Sequence, residues 1–278
     1  MLFRSVAGAP ELPVAGPMAR SARDLQLELE VLAGPMPVDA RAYRWRLPAA
    51  RRQRLRDYRI GFVLDDPYCP VGSDVKAALV RAVEALRPAG VTLVEGWPKG
   101  YSPSDAWETY LRLLASVMGA DLPEAVLKPL RSAAGRPWEA FAKAWLEGIA
   151  LTYKQWTALN GARLQARALW QGYFQTHDAF LSPVAFVPAF PHDHSASFAE
   201  RTLATPEGPR THIDGLKWIV PATLTGCPAV AAPVGRTAQG LPVGIQIMGP
   251  YLEDATPIDL AGRLVDVIGG FQPPPALA

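Results

Sequence analysis

The sequence predicts an α/β fold, a mixed β-sheet flanked by helices on both faces. Short apolar runs bounded by turn residues, such as Arg59-Ile-Gly-Phe-Val-Leu ahead of Asp65-Asp66-Pro67, have the length of buried strands. The order strand, helix, strand over residues 59–94 implies a parallel pair joined by a right-handed crossover. Several longer stretches carry apolar residues at helical spacing.

In chain order, residues 1–11 read as a non-native or disordered N-terminus, and residues 12–275 as one partial domain without internal repeat or linker. Ser21 is expected to cap a first helix, with Asp24 closing a capping box and Leu25, Leu29 and Leu32 forming its stripe. Gly34 is expected to end that helix in the left-handed conformation, and Pro35 to block its extension. Residues 41–59 hold eight arginines and no lysine, which reads as a solvated helix face.

Ser73 is expected to cap a helix whose Val75, Leu79, Val83 and Leu86 share one side. Val91-Thr-Leu-Val is the following strand. Residues 103–150 read as helical, broken near Pro123, Pro129 and Gly135-Arg-Pro137. A long helix runs from Thr152 to about Thr176, with Trp156, Leu159, Ala162, Ala166, Leu169, Trp170 and Tyr173 on one side. Asn160, Arg163, Arg167, Gln171 and Gln175 fall on the other. Ala179-Phe-Leu-Ser-Pro, Ala229-Val-Ala-Ala-Pro and Val243-Gly-Ile-Gln-Ile-Met are strands, the first two ended by proline. Asp254 begins a terminal helix through Leu260, Leu264 and Val267.

Composition narrows the function. With 28 basic and 26 acidic side chains the net charge is +2, which gives no general attraction to nucleic acid or to an anionic membrane. No apolar stretch has the length of a membrane span, and no signal peptide is evident, so a cytoplasmic protein with reduced thiols is expected. Cys69 and Cys227 lack the close-spaced partners of a zinc or redox motif, and each reads as an inert buried thiol. No cofactor and no metal are implied. His192-Asp-His194 has two alternate imidazoles but no evident third ligand. A solvated loop or local hydrogen bonding is favoured there over a pocket rim or a metal site.

Two blocks of sequence carry a family resemblance. One is Gly16-Pro-Met-Ala-Arg-Ser-Ala-Arg-Asp-Leu leading into the first helix. The other runs from His177-Asp-Ala-Phe-Leu-Ser-Pro, through Ala189-Phe-Pro-His-Asp-His-Ser and Thr223-Leu-Thr-Gly-Cys-Pro-Ala, to Gly240-Leu-Pro-Val-Gly-Ile-Gln. Together they resemble the C-terminal part of the amidase-signature enzymes, in particular bacterial amidases. The resemblance implies hydrolysis of a carboxylic amide to an acid and ammonia or amine. In that family a Ser–cis-Ser–Lys triad attacks the carbonyl, and backbone amides of a Gly-rich loop hold the oxyanion.

None of those three catalytic residues can be assigned in this sequence. It contains no Gly-Gly-Ser-Ser-Gly-Gly stretch, and no Gly-x-Ser-x-Gly elbow either. The chain alone is therefore expected to be inactive, with the triad carried by sequence upstream of Leu12. The resemblance does imply substrate-contact residues: Phe186, Phe190, His192, His194, Trp218 and Thr223. At Thr223 many relatives carry Asn. The expected partner is a small-molecule amide substrate. Unpaired sheet surface predicts poor solubility or self-association into a homo-oligomer when the chain is expressed alone. Two further readings stay open: a relative of the glutamyl-tRNA amidotransferase A subunits, and a non-catalytic binding or scaffold protein that keeps the fold.

Overall fold

The computed structural model describes residues 12–119, 121–194 and 199–273. The expectation for residues 1–11 lies outside them. Five strands form one mixed sheet in the order β2-β1-β3-β7-β6. These are β1 (Arg59–Phe62), β2 (Thr92–Glu95), β3 (Ala179–Pro183), β6 (Ala229–Arg236) and β7 (Pro242–Met248). β1 runs parallel to both β2 and β3, while β3, β7 and β6 alternate in direction. A two-stranded hairpin of β4 (Thr202–Thr205) and β5 (Gly208–Thr211) stands apart from this sheet.

Helices cover both faces. α2 (Ser73–Leu86) and α8 (Ala255–Ile268) pack on one face against β6 and β7, and α1 (Ala22–Leu32) lies on α8. The other face takes Trp170 and Tyr173 from α6 (Tyr153–Tyr173), whose rings meet Phe180 edge-on at 5.0 and 6.0 Å. Beyond α6 stand α3 (Pro103–Met118), α4 (Glu124–Arg131), α5 (Glu139–Ile149) and α7 (Val220–Thr225). Gly61 permits the close packing of α6 on β1. A Cβ there would sit 1.5 Å from the Tyr173 hydroxyl oxygen.

Several local expectations are corrected. Ser21 Oγ accepts from the Asp24 N–H at 3.1 Å, but α1 ends at Ala33 in extended backbone, and Gly34 is not left-handed. Gly72, not Ser73, is the N-cap of α2, and the Ser73 N–H donates to Glu207 across a loop. α4 continues through Pro129 to Arg131, and α6 stops at Tyr173. β6 passes Pro233 by way of an irregularity before Gly235, because an outer-strand proline gives up no ladder bond.

Residues 41–59 form no α-helix. They are an extended segment with short 3-10 turns at Asp39–Arg41 and Leu55–Asp57. Two of its arginines are built into the fold. Arg51 Nη1 donates to the carbonyls of Phe174 (2.6 Å) and His177 (3.1 Å). Arg52 Nε donates to Asp178 Oδ1 at 3.0 Å, while Asp178 Oδ2 accepts from the Arg59 N–H at 2.8 Å. The buried Asp178 thereby locks the extended segment to the start of β1 and β3.

Nor does the polar side of α6 stand clear of the protein. Arg163 is buried, with Nε on Asn160 Oδ1 at 2.8 Å. Arg167 Nε donates to the Thr225 carbonyl, and its guanidinium carbon lies 4.4 Å above the Tyr251 ring. Gly226 ends α7 in the left-handed conformation (φ 71°), and a Cβ there would press on Arg167 Nη2 at 3.0 Å.

Candidate functional site

The loop after β3 and the β4–β5 hairpin enclose a cavity of about 510 Å³. Its apolar wall is Val187, Phe190, Leu203, Pro206 and Leu241. Asp74, His192, Asp193, Arg201 and His212 supply polar groups at its lining. The loop is positioned from its root: the Gly72 N–H donates to the Phe186 carbonyl at 2.9 Å, and the Phe186 ring carries the Arg210 guanidinium at 4.2 Å. Arg210 in turn bonds Asp214 at 2.8 Å, tying the hairpin to the 3-10 segment His212–Ile219.

The six residues implied by the resemblance divide among three places. Phe190 and His192 line the cavity, with Phe190 edge-on to His212 at 5.7 Å. His194 is exposed beside His192, their rings 5.9 Å apart and perpendicular. Phe186 is wholly buried at the root of the loop. Trp218 lies in a separate aromatic slot with Tyr68, Trp97 and Tyr101. It stacks on Trp97 at 6.1 Å, and its carbonyl accepts from Gln246. Thr223 bonds away from both, giving its hydroxyl hydrogen to the Leu12 carbonyl at 2.7 Å. Thr223 thus pins the chain ahead of α1 to α7.

Asp74, Arg201, Leu203 and Leu241 come to the cavity from elements far apart in sequence, without a motif to announce them. Asp74 is an acidic residue of the first turn of α2. Ser182 and Gln246 were legible only as strand residues. They meet across β3 and β7, Gln246 Nε2 donating to Ser182 Oγ at 3.0 Å.

Burial lowers the affinity of His212 for a proton, and the Arg201 charge adds to the effect. Burial pushes the Cys227 thiol up to about 11 and raises that of Cys69, so neither is a thiolate near neutral pH. Among the described residues no three His, Cys, Asp or Glu side chains gather as a metal site. No described helix is long and apolar enough to cross a membrane. The arrangement can enclose an apolar group beside a polar rim.

The Amidase family model matches residues 3–257. Among curated relatives, the glutamyl-tRNA(Gln) amidotransferase A subunit of Rhodospirillum rubrum is 29% identical over 98% of this chain and 56% of its own length. The Deinococcus deserti protein of the same name is 30% identical over 96% and 57%. The chain spans about half the length of the curated relatives it matches. A crystal structure described as that of an amidase superposes with a TM-score of 0.62 at 25% identity, covering 91% of this chain and 52% of the other. A bacterial aryl acylamidase of the amidase-signature family superposes at 0.64 with 21% identity, over 92% and 55%. That likeness supports the fold. With the family model spanning the sheet, the cavity loop and the start of α8, the chain belongs to the amidase-signature family.

Proposed function

We propose that this chain forms the pocket-wall part of an enzyme that hydrolyses a carboxylic amide, and that the chain alone carries out no such hydrolysis. The observation behind this reading is the match to the amidase family over residues 3–257 in a chain about half as long as its curated relatives. The cavity fits the role of receiving the non-reacting part of a small amide. Phe190 and Leu241 give it apolar contact, and His192 and Arg201 give it polar anchors. Phe186 then anchors the cavity loop at its root, Trp218 belongs to the separate aromatic slot, and Thr223 acts on the path of the chain rather than on substrate.

Chemical reasoning supports the inactivity this reading assigns to the isolated chain. Amide cleavage needs an activated nucleophile and an oxyanion site. The two thiols are buried and protonated, and the buried Ser182 is engaged by Gln246 and the Pro183 carbonyl among the described residues. The test is binding. Titration of the purified chain with benzamide, followed by calorimetry or by NMR shifts of His192 and His212, should give saturable binding that Phe190→Ala weakens about tenfold. Binding unaffected by Phe190→Ala, or absent at all concentrations, contradicts the assignment of the pocket.

A second reading has specific support. The curated relatives quoted above are both named as amidotransferase A subunits. On that reading the chain works inside a multi-subunit complex. Co-purification of a second, unrelated protein chain from the native host would favour it over a free-standing amidase.

A further inference from the structure

Residues 41–59 concentrate positive charge that their own neighbourhood does not balance. They hold eight arginines against a single acid, Asp57, while the remainder of the chain has 20 basic and 25 acidic side chains. Because the segment is extended, it has no acids one helical turn away to neutralise them, as a charged helix face has. Arg51, Arg52 and Arg54 are paired with Glu253, Asp178 and Asp57. Arg41, Arg44, Arg46 and Arg56 are exposed and pair with no carboxylate among the described residues.

Aromatic rings are interleaved with these charges. Tyr43 is 68% exposed beside Arg44, and the half-buried Trp45 separates Arg44 from Arg46. Two residues of extended chain put Arg44 and Arg46 about 6–7 Å apart, a spacing of the order of neighbouring phosphates on a stretched strand. The segment also leads to an opening. A groove of about 500 Å³ between α1 and α8 begins at Ala50, with Ala22, Ala255 and Ile258 as its apolar lining and the exposed Arg23 at its side. Of its two acids, Asp259 is already held by Arg263 and by the Tyr58 hydroxyl, each at 2.6 Å. Asp266 is exposed, about three turns of α8 away from Ala255.

We infer that this strip and the groove beside it bind single-stranded nucleic acid. Arg41, Arg44, Arg46 and Arg56 take the phosphates, and a base stacks on Tyr43. The groove seats a second base on its small apolar lining, with Arg23 at hand for the adjoining phosphate. Nucleic acid fits better than an acidic polypeptide or a lipid surface, because an exposed ring among arginines and an open apolar groove suit flat bases joined by anionic links. A single strand fits better than a duplex, whose bases are stacked on each other and closed to Tyr43. The chain's net charge of +2 confines the attraction to this strip. The inference holds whether or not the completed protein cleaves amides.

The test is fluorescence anisotropy of a labelled single-stranded oligonucleotide of about twelve nucleotides, titrated with the purified chain at several salt concentrations. Saturable binding is expected, with log K falling against log salt at a slope near −3, about −0.7 for each of four phosphates. The double variant Arg44→Gln, Arg46→Gln should weaken binding about tenfold and reduce that slope by about 1.4. Tyr43→Ala should weaken it about tenfold and leave the slope unchanged. All three positions are exposed, so the melting temperature should not move. A charge-matched control at exposed sites elsewhere, Arg136→Gln with Lys154→Gln, should bind as the parent does. The inference is overturned if no saturable binding is seen at about 50 mM salt, or if the control loses as much as the strip variant. It is overturned equally if Tyr43→Ala binds like the parent. Equal affinity for polyglutamate or for phosphatidylserine vesicles would assign the strip to an acidic polypeptide or a lipid surface and overturn the stated partner.

Discussion

Arg51 and Glu253, two hundred residues apart, meet as a two-pronged ion pair, Nε 2.5 Å from Oε2 and Nη2 2.6 Å from Oε1. Both side chains are three-quarters buried, and the third guanidinium nitrogen closes on the carbonyls at the end of α6. One side chain thus joins the extended segment, α6 and the loop before α8. Removing it leaves a partly buried carboxylate and two carbonyls without donors. Arg51→Met should cost about 2–3 kcal/mol. Calorimetry should show a melting temperature lower by roughly 4–10 °C. A change below about 1 °C would mean that the clasp is solvent-screened.

Gly61 and Tyr173 form the second test. A Cβ at residue 61 would lie 1.5 Å from the Tyr173 oxygen and 2.9 Å from its Cζ. Gly61→Ala should therefore destabilise by about 2–3 kcal/mol, as overpacked cores do. The Tyr173 hydroxyl is itself buried without a hydrogen-bond partner among the described residues, so Tyr173→Phe should be neutral or slightly stabilising. In a double-mutant cycle by urea titration, Tyr173→Phe should recover part of the Gly61→Ala loss. Simple additivity would contradict the contact.

His177 sets a pH dependence. It stacks on Tyr173 at 4.0 Å, and burial lowers its pKa from the usual imidazole value. The Arg59 charge pushes the same way, against the hydrogen bond to the Tyr173 carbonyl and the charge of Asp178. Since the unfolded chain takes up the proton first, its share of stability is complete above about pH 6.5 and is lost as pH falls through the lowered folded value. The urea midpoint should drop between pH 7.5 and 5.5, and drop less in His177→Gln. Equal drops in both would remove His177 as the cause.

The two thiols should be slow to react. Cys69 and Cys227 are buried and their pKa values are raised, that of Cys227 to about 11. Ellman's reagent at pH 8 should label neither within minutes on the native chain and both after denaturation. Rapid native labelling would show that the strand or loop around one of them opens readily.

The strands were legible because each is a short apolar run with a turn residue at its end. β1 and β3 are strands as read, and β1 pairs in parallel with β2 as expected. The arginine-rich segment was not legible, because Arg51 and Arg52 find Glu253 and Asp178 only after folding brings distant carboxylates to them. The β4–β5 hairpin escaped notice because Thr202–Thr205 and Gly208–Thr211 are half exposed and lack an apolar run. At the site, the loop carrying Phe190 and His192 could be named from its motif. Asp74, Arg201 and Leu241, which complete the cavity, are ordinary residues until the chain is folded.

The most direct measurement is ammonia and amine release by the purified chain alone, on glutamine, benzamide and an anilide. The expected rate is that of buffer without protein, unchanged by a serine-directed sulfonyl fluoride. Turnover above that level, surviving repurification and abolished by the sulfonyl fluoride, would show that this chain carries its own nucleophile and contradict the assignment of the chemistry to sequence beyond it.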